Sequence, residues 1–387
     1  MVIYLIFFGI SIFLLYISNY TKNLFLKKIL IFSGLLMPCI LAGVRSLNIG
    51  TDVKVYLKQM YSTSLSSNSF NIFLNSRISG LRYARDYERG FTILVYCLTK
   101  IFKNIQILMF FIEVLIIFPI YFGCKKFMYL KDKIWFCMLV YYFMFYNISL
   151  NAMREFIGLS IVFYGICSLI TNEKHGLMKY MISFAVGCLF HKSMILSLTV
   201  IIVYYLLKNK KNSYVKLGKL KVRTYILKLT LIVCLGIFLL LNINLLNRIL
   251  YNNDEFNRYT AYYSEFSIED YDIIKFLPML ILIIVLLKKF LKKYENSSFY
   301  IAMFCFAYLI FGQLENVSIH GDRVSDVYKI ISVIYFPLIG DTPNSNRWKK
   351  ITTLIVIIYV ICYWYFMFVY KGYNQTIPFI FYKKGEI

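Results

Sequence analysis

The chain has 387 residues, 60% of them hydrophobic and only 16% charged, with a formal net charge of +24. Soluble globular chains carry about 45–50% apolar and about 25% charged residues, so the composition excludes one, and it excludes a disordered chain for the same reason. At about 20 residues per apolar span, the length allows on the order of ten to twelve transmembrane helices.

Thirteen apolar runs follow one another, at about 2–17, 29–44, 91–102, 105–123, 134–149, 155–170, 177–190, 194–207, 225–246, 273–287, 298–313, 327–340 and 351–369. The first lacks a basic leader and a small-residue cleavage site and reads as a retained span rather than a signal peptide. Run 91–102 is too short to cross about 30 Å of hydrocarbon at about 1.5 Å per residue. If it re-enters or lies at the surface and the other twelve cross, loops 18–28, 124–133, 171–179, 208–224, 288–297 and 341–350 share one side. Those loops hold 23 Lys+Arg against 4 Asp+Glu, and the opposite side 17 against 13. The lysine-rich side is then cytoplasmic, both termini face outward, and the charge reads as anchoring to anionic lipid with no nucleic-acid partner. External Lys371, Lys383 and Lys384 in the tail fit this least well. The expected architecture is an all-α integral membrane protein of about twelve transmembrane helices plus a re-entrant or interfacial helix near 91–102. It forms a single polytopic domain over 1–387, with outer loops at 45–90 and 247–272.

The unusual polar residues sort to the outer side. Arg45-Ser-Leu-Asn-Ile-Gly50-Thr-Asp52-Val-Lys-Val-Tyr56 follows the second span: Gly50 allows a turn, Thr51 or Asp52 can cap a helix, and Asp52 and Tyr56 share a helical face. It reads either as a positive flank with a cap or as an interfacial Arg gripping an anionic head group. In Leu81-Arg-Tyr-Ala-Arg-Asp-Tyr-Glu-Arg-Gly90, a helix would align Arg82, Arg85 and Arg89, with an Arg82–Asp86 pair. The result is a solvated, self-paired face or a set of forks for diphosphate oxygens. Glu88, drawn toward the membrane surface by Phe91, is expected to have a raised pKa suited to proton transfer. Asn147, Asn151 and Arg154 fall on one helical stripe, and an Arg between apolar runs needs a partner or an anion.

His191-Lys-Ser193 interrupts two runs, as a polar turn or a general base. His320-Gly-Asp-Arg323-Val-Ser-Asp-Val-Tyr328 offers a further His and Arg, and Glu113 is the mid-span acid, a structural partner or a pore group. The nine cysteines show no repeated spacing and read as small buried hydrophobes; three scattered His make a metal cluster unexpected. The P-loop, G-x-S-x-G and HExxH patterns are absent, which argues against an ATP-driven pump or an ordinary serine hydrolase.

Taken in order, Arg45…Gly50-Thr-Asp52…Tyr56, Tyr87-Glu88-Arg-Gly90-Phe91, Asn151…Arg154, Phe190-His191-Lys-Ser193 and Arg323…Tyr328 resemble the EpsG-type family of Wzy-like polysaccharide polymerases over roughly 40–340. The resemblance implies a fold like the C-type glycosyltransferases. It implies a multi-pass bacterial plasma-membrane enzyme of capsule, O-antigen or exopolysaccharide synthesis, with its active site outward. The donor is a glycan on undecaprenyl diphosphate and the acceptor a second lipid-linked repeat unit, alongside other polysaccharide-export proteins. His320 and Gly321 match no family position, and the tail after 371 is unassigned. For this reaction Arg154, Arg45 and Arg323 are the expected diphosphate clamps, with Arg82, Arg85 and Arg89 in support. Tyr56, Asn151 and Tyr328 complete the substrate-binding set. His191 is the first candidate base, followed by Glu88 or Asp52, for an inverting displacement without metal or cofactor. The alternatives are a lipid-linked oligosaccharide flippase or transporter and a membrane O-acyltransferase.

Overall fold

The computed structural model describes residues 1–208, 214–217, 220–242, 274–316 and 321–386. The expected second outer loop, 247–272, lies outside the described residues. The described residues are predominantly helical, and among them five helices are long and apolar enough to cross a membrane: Leu24–Gly43, Ile105–Lys125, Met153–Ile170, Ser297–Leu314 and Asn346–Tyr370. Five shorter apolar helices, among them Val2–Ser18 and Gly176–Phe190, accompany them. Two small antiparallel hairpins, Arg77–Ser79 with Arg82–Tyr83 (β1, β2) and Tyr214–Leu217 with Leu220–Arg223 (β3, β4), add strand that the apolar pattern does not announce. The elements gather into two compact units, Met1–Met194 with Ile357–Ile387, and Ile195–Val356.

The first unit contains α1 (Val2–Ser18), α2 (Leu24–Gly43), α3 (Lys58–Ser66), α4 (Phe70–Leu74), α5 (Arg89–Phe102), α6 (Ile105–Lys125), α7 (Ile134–Tyr141), α8 (Asn147–Ser149), α9 (Met153–Ile170) and α10 (Gly176–Phe190). Tyr4, Phe8, Tyr142, Phe143, Tyr146 and Trp364 form its aromatic core. Pro38 inside α2 has no N–H to give the Gly34 carbonyl, and the Ser11 hydroxyl of α1 supplies that bond at 2.6 Å. Small residues line the seam between α9 and α10. A Cβ on Gly158 would stand 2.9 Å from the Gly187 carbonyl, and one on Gly165 2.7 Å from Ser183 Cβ. Close backbone approach of this kind is how helices pack in lipid, where no hydrophobic force draws them together.

Helix α5 spans 14 residues, about 21 Å at about 1.5 Å per residue, and buries Phe91, Thr92, Val95 and Thr99 on one face. The chain reverses at once: Lys103 adopts φ +50°, and the Asn104 side chain accepts the Gln106 and Ile107 N–H groups to start α6. Run 91–102 is thus a short helix with one buried face, turned back within two residues. In the first unit, loops 18–28, 124–133 and 171–179 meet one another. Asn19 bonds the Asp132 carbonyl at 2.9 Å, and Lys126 and Lys179 pair with Glu173 at 2.8 and 2.9 Å. In the second unit Lys293 pairs with Asp341 at 2.7 Å.

The second unit is built from α11 (Ser197–Leu207), α12 (Thr224–Leu241), α13 (Leu277–Lys293), α14 (Ser297–Phe304), α15 (Gly321–Lys329) and α16 (Ser332–Gly340). It also holds the start of α17 (Asn346–Trp364), the helix that leads back into the first unit. Run 327–340 is thus two helices, broken at Ile330-Ile331. Phe276, Phe304, Tyr308, Tyr335 and Phe336 form its core.

Candidate functional site

The polar residues of the first unit converge where α8 ends and α9 begins. The stripe expected through Asn147, Asn151 and Arg154 is not one helix: the chain leaves the helical path between Ser149 and Met153. Asn147 turns inward and accepts the Trp364 indole N–H at 2.7 Å, while Asn151 and Arg154 stay at the break. A helix end leaves carbonyls without donors. Arg45 meets one of them: Nη1 donates to the Leu150 carbonyl at 2.8 Å, and Nη2 reaches Met153 Sδ at 3.5 Å. Arg45, read from sequence as an interfacial grip on a head group, is therefore 1% exposed and backs the turn from inside. Glu113, the mid-span acid, accepts from the Ser149 hydroxyl at 3.2 Å and lies in the field of Arg45, as a structural partner.

The segment after Arg45 is placed by the same turn. Gly50 has φ +85°, and a Cβ there would meet the Leu150 carbonyl at 3.1 Å, so glycine serves both the bend and the approach. Neither Thr51 nor Asp52 caps the helix that follows. Instead Asn151 Oδ1, from across the turn, accepts the Thr51 hydroxyl at 2.8 Å and the Asp52 N–H at 3.1 Å. The helix opens with a π turn over Val53–Leu57, in which the Tyr56 hydroxyl donates to Asp52 Oδ2 at 2.7 Å. The shared face of Asp52 and Tyr56 is as the spacing predicts.

Arg154 lies at the centre. Its guanidinium pairs with Glu88 and sits over two neighbouring rings, 4.8 Å from the Tyr56 centroid and 5.1 Å from that of Tyr87. Both partners of the pair are mostly covered, their side chains 15% and 13% exposed. Burial by itself pushes the Glu88 carboxyl up; the Arg154 guanidinium, then His191, outweigh it and hold the group below its usual value. The raised pKa expected for Glu88 is thus reversed, because the cation that the sequence left unpartnered is beside it. His191 ends α10 with extended backbone; Ser193 Oγ stands 2.6 Å from its Nδ1, and the Ser193 N–H donates to the same nitrogen at 3.3 Å.

Gly90 brings the Glu88 end of α5 against the His191 end of α10, since a Cβ on it would stand 2.7 Å from the Leu189 carbonyl oxygen. Gly90→Val is expected to push the two helix ends apart. It should cost about 1–3 kcal/mol of stability and on the order of a hundredfold in activity, without touching a charged group. Thermal melting and initial rates measured side by side check this.

The basic stripe of Arg82, Arg85 and Arg89 does not form as a helix. Gly80, at φ +53°, turns a hairpin there, a short 3-10 turn follows, and only Arg89 enters α5. Asp86 accepts the Tyr83 N–H at 2.7 Å instead of pairing with Arg82 along a helix. All three arginines are exposed; Arg85 bonds Asn75 at 3.0 Å, and Arg82 reaches the Tyr87 hydroxyl. Arg323 and Tyr328 belong to the second unit, where the Tyr328 hydroxyl meets Thr199 Oγ1 at 2.7 Å, and His320 lies outside the described residues.

Two contributors fall outside the site residues expected from the sequence. Tyr87 precedes Glu88 and shares the Arg154 cation with Tyr56, and Asn374, in the tail, accepts from Asn151 Nδ2 at 2.9 Å. Three buried N–H donors have no acceptor among the described residues: Arg45 Nε, Arg154 Nε and Asn374 Nδ2. Each belongs to a side chain at the turn 150–154. Such a set suits a ligand rich in oxygen acceptors. Among the described residues no three His, Cys, Asp or Glu side chains gather as metal ligands would. The cysteines there are all free; Cys39, Cys124, Cys137 and Cys167 are buried, while Cys97, Cys234 and Cys362 are exposed.

No curated protein and no solved structure matches the chain. The sequence model of the EpsG family matches residues 28–381, nearly its whole length, and the chain belongs to that family.

Proposed function

We propose that this EpsG-family membrane protein is a polysaccharide polymerase that moves a growing glycan from undecaprenyl diphosphate to a lipid-linked repeat unit, on the outer face of a multi-pass cell-membrane enzyme. Family membership supports a polymerase of polysaccharide biosynthesis in general. The observation that carries the finer reading is the Arg154 guanidinium. It is mostly buried, held by Glu88 and two tyrosine rings, and has an N–H donor to spare.

In the proposed step the acceptor hydroxyl attacks the anomeric carbon of the donor sugar, and the bond from that carbon to the diphosphate oxygen breaks. The electron pair leaves with the diphosphate, and the hydroxyl proton passes to a base. A diphosphate leaving group needs charge stabilisation above all, and a cation in a water-poor site supplies it most effectively. Arg154 takes that role, and Asn151 and Tyr56 hold its surroundings. Arg45 acts from behind by fixing the turn. Arg82, Arg85 and Arg89 stand outside as a route for anionic substrate, and Arg323 and Tyr328 are assigned to substrate binding in the second unit.

His191 is the proposed base. The Ser193 N–H donates to Nδ1 at 3.3 Å, so that nitrogen carries the lone pair, and the Ser193 hydroxyl, 2.6 Å from it, relays the acceptor proton to it. Glu88, held ionised by its cation, acts as a positioning residue, and Asp52 orients Tyr56. One displacement at one carbon gives inversion, and the guanidinium supplies the charge a metal would otherwise bring. The test uses purified protein in detergent with a lipid-linked repeat unit as sole substrate. A ladder of lengthened glycan supports the polymerase. Movement across liposomes without lengthening indicates a flippase, and dependence on an acyl donor indicates an acyltransferase.

The pH dependence follows from Glu88. Its folded value lies below its unfolded value of about 4.3, so the stability it adds is present above that pH and fades only as pH falls through the depressed value. Between pH 5 and 8 the carboxylate keeps its charge. Glu88→Gln is expected to lower the rate about tenfold, through a lost charge-assisted bond, while any inflection in that range stays in place. An inflection that vanishes in Glu88→Gln would assign the titration to Glu88.

A further inference from the structure

The tail after α17 folds back onto the candidate site. Past Tyr370 the chain turns through three left-handed residues, Gly372 at φ +62°, Asn374 at +64° and Gln375 at +50°. Among residues with a side chain, Asn tolerates that conformation best. The segment is then fastened along its length. The Tyr4 hydroxyl donates to the Thr376 carbonyl at 2.7 Å, and Asn147 Nδ2 donates to Thr376 Oγ1 at 2.9 Å. The Ser46 N–H bonds the Ile380 carbonyl at 2.8 Å, and the Tyr382 N–H bonds that of Val44 at 2.9 Å, a short antiparallel bridge beside Arg45. Glu386 Oε2 accepts from the Ser46 hydroxyl at 2.8 Å and the Leu47 N–H at 2.7 Å, and Lys58 bonds the Glu386 carbonyl. The tail therefore lies on the same side as the 45–90 segment, with its three lysines.

The orientation of the Asn374 amide is fixed by a chain of obligatory donors. The Asp52 backbone N–H can only donate, so the atom of Asn151 that receives it is the oxygen. The other end of Asn151 is then its NH₂, and the Asn374 atom 2.9 Å from it must be the acceptor Oδ1. That leaves Asn374 Nδ2, a buried donor with no acceptor among the described residues, one side chain away from the turn that carries Arg154. A buried donor left unmade costs about 1–3 kcal/mol. A tail fastened by seven further hydrogen bonds does not leave such a group exposed to chance, and Arg154 Nε stands in the same condition at the same turn.

We infer that the C-terminal tail supplies a substrate-contacting residue, Asn374, whose side-chain N–H binds an oxygen of the lipid-linked donor next to the diphosphate position at Arg154. The inference rests on the polymerase reading and extends it to a segment that the motifs do not reach. Phosphate and sugar oxygens share the chemistry a single N–H recognises, and the experiment separates them.

The probes are undecaprenyl diphosphate without sugar, and the same lipid carrying one repeat unit, each titrated against the full chain in nanodiscs. Asn374→Asp keeps the oxygen that Asn151 uses and replaces the donor by an acceptor. It is expected to melt with the wild type and to bind at least about tenfold more weakly. Loss with both lipids places Asn374 on the phosphates; loss with the glycosylated lipid alone places it on the sugar. Asn374→Gly, which suits φ +64°, removes the amide while preserving the turn and is expected to show the same loss, so a folding defect in one variant leaves the other informative. Wild-type affinity for both lipids in a folded variant would overturn the assignment and leave the polymerase reading standing. Failure of the wild-type chain to bind either lipid would overturn both.

Discussion

Arg154→Ala is expected to lower polymerisation by about three orders of magnitude while the protein still folds and inserts. Removing one donor from a preorganised oxyanion site costs about 10²–10³ in rate, and here a full positive charge goes with the donor. Glu88 would also lose the cation that holds its carboxylate in place and ionised. Arg154→Lys separates charge from shape. A lysine keeps the charge, but it lacks the planar fork that lies over the Tyr56 and Tyr87 rings and the spare Nε donor. It should recover part of the activity and fall short of wild type by about tenfold or more. Initial rates of glycan lengthening, with protein amounts matched by size-exclusion profile, measure both. Near wild-type rates in Arg154→Ala would remove the guanidinium from the chemistry.

The second large effect concerns stability. Arg45→Ala deletes the donor to the Leu150 carbonyl and leaves Glu113 as a buried acid without its nearby cation. A buried carbonyl left without its donor costs about 1–3 kcal/mol, and the packing lost with the long side chain adds to it. The melting temperature should fall accordingly. Adding Glu113→Gln should restore part of the loss, since the double variant no longer buries a lone carboxyl and coupled neighbours are non-additive. A double variant as unstable as the sum of the two single changes would mean that Arg45 and Glu113 do not act on one another.

Sequence and structure agree where apolar length decides the outcome. A run such as 105–123 must be a helix, because lipid leaves its backbone groups no other partners, and α6 covers Ile105–Lys125. Run 91–102 is legible as a short helix, and α5 covers Arg89–Phe102 before the chain turns at Lys103. Gly50 and the Asp52–Tyr56 pair are equally local. What the sequence does not carry is partnership at a distance. Nothing around Glu88 says that Arg154, 66 positions on, will hold it ionised, so reasoning from burial alone reverses the direction of its pKa. Arg82, Arg85 and Arg89 fit a helical stripe arithmetically, yet Gly80 and the Asp86 bond to the Tyr83 N–H favour a hairpin and a tight turn. Asn374 could not be found from its neighbours, because its role exists only once the tail has folded onto the first unit.

The most direct test of the account asks where the diphosphate sits. A photoreactive undecaprenyl diphosphate whose label is attached at the phosphate end, activated in nanodiscs holding the wild-type chain, reports its own surroundings through the peptides it labels. Labelling is expected to concentrate in residues 52–56, 87–91 and 151–154, to be competed by unlabelled lipid and to be lost in Arg154→Ala. Saturable labelling confined to other segments, unchanged in Arg154→Ala, would contradict it.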